Sequence, residues 1–409
     1  MKKHIHTYIY LLIIILLVMQ FFDSYCADLY GKLQSFLLSE FLIEQKNMTV
    51  QAAVSYMGYA ALPFYVIPVL APLARLLIDH IGLRTIFLMN IGILVTGCIV
   101  CNCSDSLVWF LIGNGLVIFA SSLDIQYIYI AEVIPEKKRA TIRGIAGGVA
   151  AAATMLIPLL RSRLITKNGH SWRALYAIGI LIGILVLMTS LLLHKDERKS
   201  SVCNGNQKNR ESEQTIRVIN QASIRSLCVC LFIIGIATSG ITFYNEPLIA
   251  FTDRMESQIN LVLLIQPVVT LCMNIASGYL ADLFGRKTVI LVDVIISMFS
   301  VLWYVLGAYT GASAAGLGIA WGLMIGCYFS AANLLTLTVL EQAKTGMVGK
   351  VSALATYANG AGNTIGIILC TLCVKYTGMA AIKLIISIPV LLCVAVYLIT
   401  CNPFPQKAG

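Results

Sequence analysis

Gly278-Tyr-Leu-Ala-Asp282-Leu-Phe-Gly285-Arg286-Lys287 is a short polar hinge between two long apolar runs. Its chemistry is that of a turn at a membrane edge. Gly278 omits a side chain where two helices are expected to approach closely. Asp282 puts a carboxylate at the edge, where the positive end of a neighbouring helix would hold it. Gly285 permits the tight turn, and Arg286 and Lys287 anchor that turn to the cytoplasmic side. A worn copy stands in the first half of the chain. Arg75-Leu-Leu-Ile-Asp79-His-Ile-Gly82-Leu83-Arg84 keeps the Asp, the Gly three residues on, and a base two residues after that. Two copies at one place in each half signal a duplicated membrane protein.

The rest of the chain has lipid for its solvent. Of its 409 residues, 58% are hydrophobic and 12% charged, with a mean hydropathy of +0.85. A soluble domain carries about 25% charged residues. Twelve apolar runs are each long enough to cross a bilayer at about 20 residues per span. They are 8–31, 51–74, 85–103, 107–132, 142–161, 174–193, 227–250, 259–280, 289–309, 315–339, 352–374 and 380–400. No length is left for a soluble catalytic domain. The net charge of +10 does not point to nucleic acid, because no basic stripe lies on a soluble face. Cys98-x-x-Cys101 and Cys370-x-x-Cys373 have metal-like spacing but no nearby His, and read as small buried hydrophobes. Neither a metal nor a cofactor is expected.

With the N-terminus inside, most of the 29 Lys and Arg fall on inner segments, so both termini are expected to be cytoplasmic. Lys2 and Lys3 precede an apolar run from Tyr8 to Phe22 that reads as an uncleaved first span. One outer loop breaks the pattern with Arg161, Arg163, Lys167 and Arg173. That cluster either focuses anionic solutes or faces lipid headgroups. The polar stretch from His194 to Ser226 is a solvated linker. It divides the chain into an N-terminal bundle at 1–194, a cytoplasmic linker at 195–226 and a C-terminal bundle at 227–409. Asn47-Met-Thr49 and Asn102-Cys-Ser104 are glycosylation sequons on expected outer loops.

Two further stretches stand out. Tyr129-Ile-Ala-Glu132-Val-Ile-Pro135-Glu-Lys-Lys-Arg139 follows span four, and Trp172-Arg173 precedes span six. With the two hinges, the twelve spans and the central linker, the chain resembles the major facilitator superfamily of secondary transporters over nearly its whole length. The hinge at Gly278 to Lys287 matches the family signature between helices eight and nine at every defining position. The first copy departs from it, with Arg75 in place of Gly and Leu83 in place of Arg. The resemblance implies an all-α membrane protein, with twelve transmembrane helices in two pseudo-symmetric six-helix bundles and a solute site near the midplane. It also implies a conformational latch made of Asp79, Gly82, Arg84, Glu132, Arg139, Gly278, Asp282, Gly285, Arg286 and Lys287. Asp79 and Asp282 would each sit by the cytoplasmic end of a helix in the opposite bundle. Arg84, Arg139 and Arg286 would pair with carboxylates such as Glu132. Ion pairs at a wet edge are worth about 0–1 kcal/mol each, so they can break and re-form as a switch.

An ionisable group inside a span is costly and marks a pathway. Asp23 lies in span one, Asp28 nearer its outer edge, Asp124 in span four, Glu246 in span seven and Asp293 in span nine. By the resemblance, spans one, four, seven and ten line the cavity. That puts Asp23, Asp124 and Glu246 forward for proton coupling, because a carboxylate in a low-dielectric cavity can load and release a proton near neutral pH. The alternative for each is a structural acid paired with a nearby cation or helix end. All five His lie near span edges, which argues against a His relay and against a clustered catalytic site. Solute-cavity candidates are Asn114, Gln126 and Tyr127 in span four, Tyr244 and Asn245 in span seven, Gln266 and Asn274 in span eight, Asn333 in span ten, and Asn359 and Asn363 in span eleven. Each bonds either solute or a neighbouring helix. The glycines of span five (Gly144, Gly147, Gly148) and span eleven (Gly360, Gly362, Gly366) read as packing faces.

The chain is thus expected to move a small organic solute by alternating access, coupled to protons. It is expected to be a multi-pass monomer of a bacterial inner membrane, and not an enzyme. The alternatives are a transporter-like solute receptor and a drug or metabolite efflux antiporter. Ser239-Gly240-Ile-Thr-Phe-Tyr244-Asn245 is similar to the seventh helix of sugar porters, yet the Gln residues that bind sugar in that group have no counterpart in spans five and seven. Pro158 follows Ile157 rather than Gly, so the antiporter signature of many drug exporters is absent from span five.

Overall fold

The computed structural model describes residues 2–67, 69, 83–123, 125–126, 136–192, 222–252, 254–341 and 348–401. All regular structure among them is helical. The first half contains α1 (Lys2–Leu38), α2 (Val50–Tyr65), α3 (Leu83–Asn102), α4 (Leu107–Ser122), α5 (Glu136–Leu160) and α6 (Arg173–Ser190). The second half contains α7 (Ala222–Thr242), the short α8 (Asn245–Ala250), α9 (Glu256–Phe284), α10 (Arg286–Tyr309), α11 (Ala314–Glu341), α12 (Val348–Ile382) and α13 (Ile388–Cys401). Nine helical stretches among the described residues are long and apolar enough to cross a membrane. One of these, Ala353–Thr400, is two spans in one. Gly378, at φ 79°, breaks it between them, as the gap between expected spans eleven and twelve requires.

The chain forms two compact units, Met1–Lys199 with Asp253–Pro267, and Ser200–Thr252 with Val268–Gly409. The same packing order appears in each. In the first, α1 packs on α5 and α6, and α3 packs on α4 and α6. In the second, α7 takes the place of α1 against α12 and α13, and α10 takes the place of α3 against α11 and α13. The duplication inferred from two hinge sequences is thus repeated in the internal contacts of both units.

Span one is longer than its apolar run suggests. Helix α1 continues to Leu38 and then through a π-helical turn, Ser39–Glu44. Part of the stretch expected to connect spans one and two, 32–50, is therefore helical. Glu40 repays this by anchoring the start of α6. It accepts hydrogen bonds from Trp172 Nε1 at 2.5 Å and pairs with Arg173 at 2.7 Å. Trp172, Phe110, Tyr176 and Phe41 meet edge to face or tilted at 5.6–6.0 Å. Thr49 accepts from the Ala52 amide at 3.4 Å and caps α2.

Helices α7 and α12 touch backbone to backbone. A Cβ on Gly362 would collide with the Phe232 carbonyl, and one on Gly366 would meet the Ile236 carbonyl at 2.7 Å. Gly235 faces Asn359 and Asn363 from the other side. The packing role expected of span eleven therefore holds at Gly362 and Gly366. It does not hold at Gly360, Gly147 or Gly148, where no described atom lies within 4 Å of the added carbon. Gly278 is equally open, so the close approach expected there is not found. Gly285 does make its turn, at φ 86°.

Gly362→Ala is expected to lower stability by about 1–3 kcal/mol, because a carbonyl cannot move aside as a side chain can. Gly360→Ala is expected to leave stability unchanged or raise it by up to about 1 kcal/mol. Thermal melting of the purified variants in detergent compares the two.

Candidate functional site

The first unit holds a buried polar cluster on α1. Gln20, Asp23 and Ser24 share one helical face, being three and four residues apart. Gln126 enters from the segment after α4. Its Nε2 donates to Asp23 Oδ2 at 2.8 Å and lies 3.1 Å from Gln20 Oε1. Gln20 Nε2 donates in turn to Ser24 Oγ at 2.9 Å. All three long side chains are nearly closed off, with Asp23 at 6%, Gln20 at 5% and Gln126 at 1% exposure. The structure therefore joins two residues that the sequence proposed separately, Asp23 and Gln126, and adds Gln20. Asn114, on α4, is also buried.

A second cluster, with both signs of charge, lies further along α1. Lys32 donates to Gln266 Oε1 at 2.5 Å and stands 3.8 Å from Asp28. Arg161 is wholly buried, donates to the Lys32 carbonyl at 2.5 Å and pairs with Glu256 at 3.2 Å. Its guanidinium also lies over the Phe36 ring, 4.6 Å from the centroid. Nearby, Asn260 donates to Thr166 Oγ1 at 3.2 Å. These bonds tie the first turns of α9 into the first unit. The outer basic cluster is thus not a uniform field for anions. Arg161 and Arg173 are committed to internal partners, while Arg163 and Lys167 belong to the same π-helical segment, Arg161–Lys167.

The second unit has an interruption in span seven, where the apolar pattern over 227–250 predicts one continuous helix. Helix α7 ends at Thr242, Tyr244 adopts a left-handed conformation at φ 46°, and α8 starts at Asn245. Pro247 supplies the local cause. It has no N–H for the Phe243 carbonyl, and it is tolerated only in the first turn of a new helix. Lys383 closes the gap. This residue, fully buried at the start of a π-helical turn, Lys383–Ser387, points its Nζ at four oxygens. They are the carbonyls of Phe243 at 2.6 Å, Ile241 at 3.4 Å and Gly240 at 3.5 Å, and Asn245 Oδ1. Tyr304 of α10 donates to the Asn245 carbonyl at 2.7 Å. Gly240 is needed for this contact, because a Cβ there would collide with Ser387 Oγ and meet its amide nitrogen at 3.2 Å. Glu246 is wholly buried in the first turn of α8, a position that favours an anion.

One helical turn earlier, Ser239 Oγ donates to Asn363 Oδ1 at 2.8 Å and lies 2.7 Å from its carbonyl. Tyr328 of α11 bonds Thr238 and Asn359. Asn359 is therefore drawn into a network of α7, α11 and α12. Asn333 is not drawn in and is exposed. Asp293 is held by Ser277 at 2.9 Å and by Ser330, which fits a structural acid between α9, α10 and α11.

Of the expected latch, Arg84 donates to the Leu191 carbonyl at the end of α6 at 3.0 Å. Arg286 reaches Thr338 of α11 at 3.4 Å. Asp282 is exposed, and Lys287 half-buried. Asp79, Gly82, Asp124, Tyr127, Glu132 and the side chain of Arg139 lie outside the described residues. Lys32, Arg161 and Lys383 were missed as buried groups because each stands near the end of an apolar run, where a base usually reads as an edge anchor.

A family model described as Major Facilitator Superfamily matches residues 12–366. The multidrug resistance protein MdtL of Escherichia coli O17:K52:H18 is 20% identical over 165 residues, 39% of this chain and 42% of that protein. The same protein of Shigella flexneri matches equally, at 20% over 165 residues. These alignments span less than half the length of the curated relatives. Among solved structures, a D-xylose-proton symporter superposes with a TM-score of 0.77 at 14% identity, covering 98% of this chain and 99% of that one. The inward open xylose transporter XylE of E. coli gives 0.73 at 14% identity, over 98% of both chains. The nucleoside transporter NupG gives 0.70 at 14% identity, over 96% of this chain and 100% of that one. At such identities the likeness shows the fold.

Arg161→Leu is expected to cost about 1–3 kcal/mol, since it removes the charge-assisted bond to the Lys32 carbonyl and the pair with Glu256. Glu256→Gln is expected to cost less than about 1 kcal/mol, because the Glu256 side chain is 38% exposed. Melting of the two variants side by side reads the difference.

Proposed function

The chain belongs to the Major Facilitator Superfamily, and on that premise we propose that it is a secondary active transporter. It is an integral multi-pass membrane protein rather than an enzyme, and it moves a small organic solute by alternating access, coupled to protons. The observation that carries this is the Gln20–Asp23–Gln126 cluster. A carboxylate buried in a span is expensive, and here it is flanked by amides, each of which offers both a donor and an acceptor. Gln126 donates to the ionised carboxylate, and an amide oxygen can accept from the protonated acid. The cluster can therefore hold Asp23 in either state, as a proton-coupling group must be held. We assign coupling to Asp23 ahead of Asp124 and Glu246.

The solute is proposed to meet amides and hydroxyls, with Asn114, Tyr127, Tyr244, Asn245, Gln266, Asn333 and Asn359 as candidates. The latch is proposed to consist of Asp79, Gly82, Arg84, Glu132 and Arg139 with Gly278, Asp282, Gly285, Arg286 and Lys287. The bias of Lys and Arg supports cytoplasmic termini, and the polar, aperiodic stretch at 195–226 supports a linker there between halves at 1–194 and 227–409. The bacterial source of the curated relatives supports an inner-membrane location, and we take the protein to be a monomer. A second reading is efflux of drugs or metabolites by antiport, favoured by the match to a multidrug resistance protein.

Proteoliposomes with an inward proton gradient test both readings with a panel of sugars, nucleosides, organic anions and amines. Symport is expected to accumulate one solute class severalfold, and Asp23→Asn is expected to abolish that accumulation while preserving solute exchange. Gradient-driven accumulation at the wild-type level in Asp23→Asn would remove Asp23 from coupling. Extrusion driven by the same gradient would select antiport.

A further inference from the structure

Four oxygens gather at the interruption of span seven. A helix end carries the negative pole of its dipole, and the carbonyls of Gly240, Ile241 and Phe243 stand at the end of α7. Asn245 Oδ1 adds a fourth oxygen from α8. Interrupted spans in transporters use such freed carbonyls to bind small cations taken from solution. Here the centre of the cage is filled by Lys383 Nζ. An ammonium has three N–H donors and no acceptor, which suits a shell made only of oxygens. A neutral amine would turn a lone pair toward one of them. The amine reaches the cage on a buried stem from the π-helical turn that also packs against Gly240, so the filling group is covalently supplied and held in place.

We propose that the break in span seven is a site for a small monovalent cation, which this chain occupies with the ammonium of its own Lys383. The site therefore takes no sodium from solution. Deleting the amine converts it into a site that does. This goes beyond proton coupling at Asp23 and is argued from residues of the other compact unit.

The test is thermal melting of purified full-length protein in detergent, in sodium, ammonium, methylammonium or choline chloride at equal ionic strength. The wild type is expected to melt alike in all four. Lys383→Ala is expected to melt several degrees lower in choline, and to regain most of that loss, saturably, in ammonium or sodium. Lys383→Met, which keeps the stem and fills the space, is expected to melt low in every salt. A Lys383→Ala protein that melts with the wild type, or melts identically in choline, sodium and ammonium, overturns the proposal. If Lys383→Ala does not survive purification, Pro247→Ala is added to it, restoring an N–H to the Phe243 carbonyl. Recovery of a folded double variant is then expected, and failure to recover overturns the proposal. Melting needs no solute, so its outcome is read apart from any transport result.

Discussion

A bilayer interior offers no partner to a backbone N–H or C=O, so each span must close its own hydrogen bonds or borrow donors from a neighbour. Most of this chain takes the first course, with long helices whose apolar side chains need no partner at all. The break after Thr242 forces the second. Pro247 denies the Phe243 carbonyl its donor, and the chain answers with Lys383 from a span that lies far along the sequence. Tyr304 adds a bond to the Asn245 carbonyl from a third helix. The interruption is thus tolerated because α10 and the turn before α13 complete it.

The same constraint governs polar side chains inside the spans. A buried amide or acid without partners costs more than its bond would return, so such groups gather. Gln20, Asp23 and Gln126 form one gathering, and Thr238, Ser239, Tyr328, Asn359 and Asn363 form another. Both use the helices that open their repeats, α1 and α7. Arg161 follows the rule for a cation, with a carbonyl, a carboxylate and an aromatic face around it. Its burial is a packing requirement first, and leaves no free charge for steering a solute.

Glycine supplies the complementary device. Where α7 and α12 must touch, Gly235, Gly362 and Gly366 remove the side chains that would hold them apart, as small residues do between helices in lipid. The hinge glycines serve another purpose. Gly285 turns the chain between α9 and α10 with a positive φ, while Gly278 stands beside open space. Residues of one type in similar runs therefore do different work, and only their neighbours tell which.

The sequence by itself determined the solvent of this protein, its helical class, its duplication and its family. Those properties rest on hydropathy summed over whole spans and on two short hinges, and neither depends on which residues meet across the fold. It also marked Asp23 and Gln126 as costly in a span, because a polar group in an apolar run is visible without a structure. Only the tertiary structure decided that these two share a hydrogen bond, that Asn333 is exposed while Asn359 is engaged, and that span seven is interrupted. Lys383 shows why. Near the end of an apolar run a lysine ordinarily turns to water, and nothing local distinguishes one that turns inward. That choice belongs to the carbonyls of Gly240, Ile241 and Phe243, more than a hundred residues away, which become neighbours only when α7 and the last span pack together.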